Sequence, residues 1–196
     1  MPAATTNKPT GFVLFETAIG RCALVWRGGL VVGAAFPERD ERTMRGRLAE
    51  RFPGAAEVEP PAFVTEAILL IVRLFKGEKV DLASIPVDLD GVAELERKVY
   101  EAARSIPCGE VRTYGEIARA IGAPGATQAV GAALGRNPVP IVIPCHRVLA
   151  AGGRSGGFSA PGGIATKFRL LEIEGARRPG EAGLFETLPF AVKPLS

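Results

Sequence analysis

Histidine occurs once in this 196-residue chain, cysteine three times and tryptophan once. Each scarcity excludes a class of protein. Cys22, Cys108 and Cys145 are odd in number and far apart, so they do not build a disulfide framework; they fit a reducing compartment, and a cytoplasmic location is expected. There is no CxxC pair, and His146 could complete a zinc ligand set only by recruiting all three cysteines, so no metal is expected. Long hydrophobic runs are missing as well. The run "AILLIV" at 67–72 falls far below the roughly 20 residues of a membrane span, and the start "MPAATTNKPTG" lacks the charged segment and apolar core of an export signal. An unexported protein with no membrane partner is expected. Glycine is plentiful, yet neither a GK[ST] ending nor a dinucleotide fingerprint is present, which leaves no phosphate loop and no expected cofactor.

Hydrophobic residues make up 47% of the chain, enough to bury a core in one domain or two small ones. The net charge of +3 is unevenly distributed: residues 1–90 carry 11 Lys/Arg against 12 Asp/Glu, and residues 91–196 carry 13 against 9. Between Val111 and Arg169, the cations Arg112, Arg119, Arg136, Arg147, Arg154, Lys167 and Arg169 accompany a single acid, Glu116. Such an excess attracts a polyanion, although a solvated basic face produces the same count.

Two units are expected, an α/β (α+β) arrangement with boundaries at 1–88 and 89–178 and a tail at 179–196. Near the start, β-rich runs at 11–16, 21–26 and 29–36 are separated by turns at Ile19-Gly20 and Gly28-Gly29. Helical periodicity follows at about 39–52 and 61–75, and the segment "KGEKVDLASIPVDLDG" then loses it. The second unit begins with a helix from Val92 to Ser105, stopped by Pro107. Thr113 and Glu116 have the spacing of a capping box that opens a helix through Ile121. After the turn "GAPG", a small-residue helix spans 126–134, so helix, turn and helix resemble a helix-turn-helix, a pattern that plain packing also produces. Asn137-Pro138 and Pro140 end that helix, and Ile141–Ile143 is expected as a short strand leading to a turn at Pro144, with the Cys145 thiol on the floor of a pocket. A glycine-rich loop at 152–163 follows, with Arg154 and Phe158 as its bulky anchors. The tail offers Phe185, Leu188 and Phe190 for packing.

A cysteine beside the only histidine suggests an activated nucleophile, because the thiolate is the reactive form and needs a base or a positive field at neutral pH. In an extended segment, however, neighbouring side chains point to opposite faces, so contact requires a turn or a water. A catalytic histidine also needs an orienting partner. On a helix from Ile164 to Gly175, at about 100° per residue, Glu174 lies roughly 55° from the mean apolar direction and Glu172 about 105°. Glu174 is therefore the carboxylate expected to turn inward.

The runs "NPVPIVIPCHRV", "GGFS" and "KFRLLEIEG", preceded by "IPCGEVRTYGEIARAIG", resemble the methylated-DNA–protein-cysteine methyltransferases, or O6-alkylguanine-DNA alkyltransferases. The resemblance is close from Ile106 to Gly175 and coarse before it. It implies a ribonuclease H-like first unit, a winged helix-turn-helix second unit, and a monomer acting on double-stranded DNA that contains O6-alkylguanine. It also implies that Cys145 accepts the alkyl group once and irreversibly, with His146 as base through a water, Glu174 orienting it, Asn137 bracing the turn and Tyr114 protonating the departing guanine. Val148 and Ser159 would read the flipped base, and Pro140 and Phe158 would line its pocket. Thr127, Gln128, Ala129 and Arg136 would face DNA; Gln128 stands where the family usually carries an inserted arginine. Two other readings of the same residues are a lesion sensor that binds without reacting and a cysteine hydrolase that turns over repeatedly.

Overall fold

In the computed structural model the described residues are 10–153 and 156–176; Arg154 and the tail bearing Phe185, Leu188 and Phe190 lie outside them. The described chain is mixed α/β, with one small sheet, a two-stranded pair and six α-helices.

The three β-rich runs form β1 (Thr10–Thr17), β2 (Gly20–Arg27) and β3 (Leu30–Ala35), paired antiparallel in succession. The central strand reads "CALVW" without polar alternation because both of its faces are covered. Ala23 and Val25 pack against Met44 and Leu48 of α1 (Glu41–Arg51), while Cys22, Leu24 and Trp26 join the cluster that holds Ile71 and Leu74 of α2 (Ala62–Phe75). Asp40 caps α1 by accepting from the Thr43 N–H at 2.7 Å. A two-residue strand that periodicity does not reveal, β4 (Ala56–Glu57), pairs parallel with β1 and completes the order β3-β2-β1-β4. The connection after α2 runs beside β3: the Val31 N–H donates to Pro86 O at 2.8 Å, and the Asp88 N–H donates to Val31 O at 2.9 Å.

In the second half, α3 (Glu94–Arg104) packs on α5 (Thr127–Gly135), and the Tyr100 hydroxyl donates to Ala133 O at 2.9 Å. Strand β5 (Arg112–Thr113) leads into α4 (Tyr114–Ala120) through the expected capping box. The Glu116 N–H donates to Thr113 Oγ1 at 3.2 Å, and Glu116 Oε2 accepts from the Thr113 N–H in return. After the turn at Pro144, β6 (Val148–Leu149) pairs parallel with β5, and α6 (Gly163–Ile173) is the last helix of the described residues. One buried cluster runs from Leu24 and Ile71 through Tyr100 and Val130 to Ile143 and Leu170, so the two halves share an apolar interior.

The expected strand at Ile141–Ile143 does not form. The segment is a tight turn in which Ile141 takes a φ of 78° and the Ile143 N–H donates to Val139 O at 2.9 Å. Pro138, Pro140 and Pro144 lack the N–H donors a ladder needs, and the Asn137 side chain occupies Ile143 O.

Close packing between β3 and the end of α1 yields a stability test. A Cβ added at Gly33 would collide with the Phe52 ring. Gly33→Ala is expected to lower stability by about 1–3 kcal/mol through overpacking, read as a reduced midpoint in chemical denaturation with an unchanged slope.

Candidate active site

Cys145, His146 and Arg147 form a single 3₁₀ turn, followed by an extended Val148. Consecutive side chains in such a turn diverge less than on a strand, which removes the opposite-face problem of the extended reading. Cys145 is partly exposed, whereas His146 and Arg147 point into the protein and are 0% and 5% exposed. The backbone before the turn is set by Asn137, whose amide donates to Ile143 O at 2.8 Å while its Oδ1 accepts from the Val139 N–H at 3.0 Å.

Glu174, at the C-terminal cap of α6, is 2% exposed and turns inward as its angular position predicts. His146 Nε2 lies 2.9 Å from Glu174 Oε1, and Arg147 grips both carboxylate oxygens, with Nε 2.8 Å from Oε2 and Nη2 2.9 Å from Oε1. Arg147 also donates to Ile106 O at 2.7 Å. Burial pushes the Glu174 carboxyl up, but His146 and Arg147 outweigh it and hold the group down at about 2. Burial lowers His146, against the opposing pull of Glu174, so its neutral form is favoured. With the Nε2 proton directed at the carboxylate, Nδ1 carries the lone pair and is left without a protein hydrogen bond among the described residues.

Burial raises the thiol of Cys145, only partly opposed by Asn137, the charge of Lys167 and the N–H groups of Cys145 and His146. Lys167 is 0% exposed; its Nζ donates to Val148 O at 2.7 Å and lies 5.9 Å from the centre of the Tyr114 ring and 6.0 Å from that of Phe158. Burial lowers its ammonium to about 8.

Cys145 opens onto two cavities. One, of about 540 Å³, is lined by Tyr114, Thr127, Gly131, Phe158 and Ser159 and faces α4 and α5. The other, of about 440 Å³, runs toward the first half of the chain past Pro140, Arg136, Phe36 and Arg51. Cys145, Asn137, Tyr114, Pro140, Phe158, Ser159, Thr127 and Arg136 thus all meet at this junction. Gln128 is exposed and Ala129 half-buried on α5, outside both linings, and Val148 is buried beneath the turn.

Comparisons with known proteins identify the family. Residues 94–176 match the family model described as 6-O-methylguanine DNA methyltransferase, DNA binding domain. The methylated-DNA–protein-cysteine methyltransferase of Methanosarcina acetivorans is 44% identical over 167 residues, covering 84% of this chain and 98% of that protein. The chain belongs to the methylated-DNA–protein-cysteine methyltransferase family. The relative from Mycobacterium tuberculosis is 44% identical over 128 residues, 65% of this chain and 74% of that protein. Among solved structures, Mycobacterium tuberculosis OGT in complex with DNA superposes with a TM-score of 0.66 at 34% identity, covering 87% of this chain and 96% of that one.

Two members of the basic run are not surface charges: Arg147 and Lys167 are buried, so the excess between Val111 and Arg169 overstates what a polyanion would meet. Sequence reasoning missed both as internal groups. Lys167 was findable, because it precedes Glu174 by seven residues and shares its helix face.

The buried carboxylate and imidazole fix a pH dependence. A depressed His146 contributes stability above the ordinary histidine value and loses it as pH falls below about 6.5; a depressed Glu174 loses its share as pH falls from about 4.5 toward 2. Thermal midpoints should therefore fall in two steps on acidification. Glu174→Gln, which strands Arg147, should lower stability by about 3–5 kcal/mol and shrink the lower step, to which Asp40 and other depressed carboxylates also contribute.

Proposed function

We propose that this protein repairs O6-alkylguanine in double-stranded DNA by one irreversible transfer of the alkyl group to Cys145. The observation that carries this reading is the 2.9 Å bond from His146 Nε2 to a carboxylate already neutralised by Arg147. It makes His146 a neutral base with its lone pair on Nδ1, next in sequence to the thiol. Through one water, His146 takes the Cys145 proton. The thiolate then attacks the alkyl carbon, an S–C bond forms, the C–O6 bond breaks, and its electron pair passes to guanine. Tyr114, in the cavity with Cys145, supplies the proton to the departing base. The thioether is stable to hydrolysis, so each molecule acts once.

The base must leave the duplex to reach the thiol. The cavity facing α4 and α5 suits a flipped nucleotide, with Phe158 and Pro140 as walls, Ser159 and the Val148 main chain as readers, and Asn137 bracing the turn. Thr127, Gln128 and Ala129 near the start of α5 then face the duplex, where exposed Gln128 fills the space left by the base. We read residues 1–88 as a ribonuclease H-like unit and 89–178 as a winged helix-turn-helix, supported by the order β3-β2-β1-β4 and by the α4-turn-α5 pair beside β5 and β6. The same reading makes the protein a cytoplasmic monomer.

Incubation with a duplex containing O6-methylguanine should add one methyl group to the peptide bearing Cys145, in a burst of one equivalent. His146→Ala should slow the burst by about 10²- to 10⁴-fold, the range for loss of a general base, and Cys145→Ala should abolish it. An unmodified Cys145 peptide would leave the lesion-sensor reading, and repeated turnover would favour the hydrolase.

A further inference from the structure

We propose that Arg51, in the first half of the chain, is a positioning residue for alkyl transfer: its guanidinium fixes the Asn137–Val139 turn and, through Asn137, the Cys145 thiol. The proposal rests on the function above but is carried by a separate contact. Arg51 is the last residue of α1, and its Nη2 donates to Pro138 O at 2.7 Å across 87 positions of sequence. Its guanidinium carbon lies 5.2 Å from the centre of the Phe52 ring, and that ring packs so tightly on Gly33 that no Cβ would fit between them. The sheet therefore fixes the ring, the ring supports the guanidinium, and the guanidinium holds the Pro138 carbonyl.

Pro138 sits inside the loop that Asn137 closes by bonding Ile143 O and the Val139 N–H. Ile143 O, which Asn137 holds, also accepts from the Cys145 N–H at 2.8 Å, and Asn137 is among the groups that favour the Cys145 thiolate. The Pro138 carbonyl and the Val139 N–H lie in one rigid peptide plane, and that N–H donates to Asn137 Oδ1 at 3.0 Å, so a shift of the carbonyl displaces the Asn137 side chain. Arg51 also lines the second cavity onto Cys145. Other cross-chain ties act elsewhere: Lys79 donates to Glu174 O, and Arg169 donates to Ala18 O at 3.2 Å.

Arg51→Met retains the apolar stem and removes the donor. Three measurements test it: the rate of methyl transfer from an O6-methylguanine duplex, affinity for an unmodified duplex, and the pH profile of Cys145 alkylation by iodoacetamide without DNA, followed on the Cys145 peptide. The groups whose charge reaches this thiol are Lys167 from α6, Tyr114 from α4 and Tyr100 from α3, with His146 beside it in the turn; none is altered by the variant. Transfer is expected to slow about tenfold, the scale of one charge-assisted hydrogen bond, with duplex affinity unchanged and the alkylation midpoint moved to higher pH. Arg51→Lys, which restores one donor, should recover part of the rate. Arg45→Met, on the same helix, removes an arginine paired with Glu41 and Glu57 and should leave all three readings as in the parent protein.

Equal alkylation midpoints for Arg51→Met and Arg45→Met would overturn the proposal, as would a rate loss matched by an equal loss of duplex affinity. If the parent protein transfers no methyl group, the functional reading fails while the iodoacetamide profile still decides the role of Arg51. If Arg51→Met does not fold, Arg51→Leu, which also lacks a donor, takes its place with the same criteria.

Discussion

The geometry around the thiol depends on one buried carboxylate with two partners. A lone carboxylate in the position of Glu174 would carry a desolvation penalty of several kcal/mol and would take up a proton instead. The Arg147 fork removes that option by meeting both oxygens, and its third contact, to Ile106 O, ties the pair to the segment just after α3. Because Arg147 already supplies the full positive charge, Glu174 does not need a protonated histidine. Burial can then keep His146 neutral while Glu174 still fixes its tautomer, and a neutral imidazole is the form that can accept a proton. A thiol raised by burial would be inert without such a base. The arrangement also places the carboxylate at the C-terminal cap of α6, where Lys79 covers the cap carbonyl and meets the negative end of the helix dipole.

Much of this was legible in the sequence, for local reasons. Glycine-bounded runs located β1 to β3, the Thr113 and Glu116 spacing located the start of α4, and the angular position of Glu174 on its helix predicted its inward turn. What was not legible depended on partners distant in the chain. Arg147 and Lys167 count as surface cations until Glu174 and the Val148 carbonyl are seen to satisfy them. Strand β4 is two exposed residues that are extended because β1 lies beside them. At Ile141–Ile143 the apolar run spoke for a strand, and three prolines overruled it by withholding ladder donors. The resulting turn holds a β-branched residue at a φ of 78°, a conformation that persists only where the surroundings determine it. Ile141 is 1% exposed in the shared core, so packing supplies that determination.

The same accounting changes how duplex attraction must work. Of the cations between Val111 and Arg169, Arg147 and Lys167 serve the interior, Arg112 pairs with Glu110 and Arg136 pairs with Glu96. The charge that remains for phosphates on this face is therefore smaller than the composition suggests, and each neutralised phosphate contributes separately to the salt dependence of binding. Gln128 adds no charge where the family usually places an arginine. In the proposed function, recognition then leans on close approach: α5 is built from "TQAVGAALG", whose small side chains let a backbone sit near the groove, and Gly131 borders the cavity that reaches Cys145. On that proposal, charge withdrawn into the protein sets the base and the thiol, and shape carries a correspondingly larger part of holding the duplex while they react.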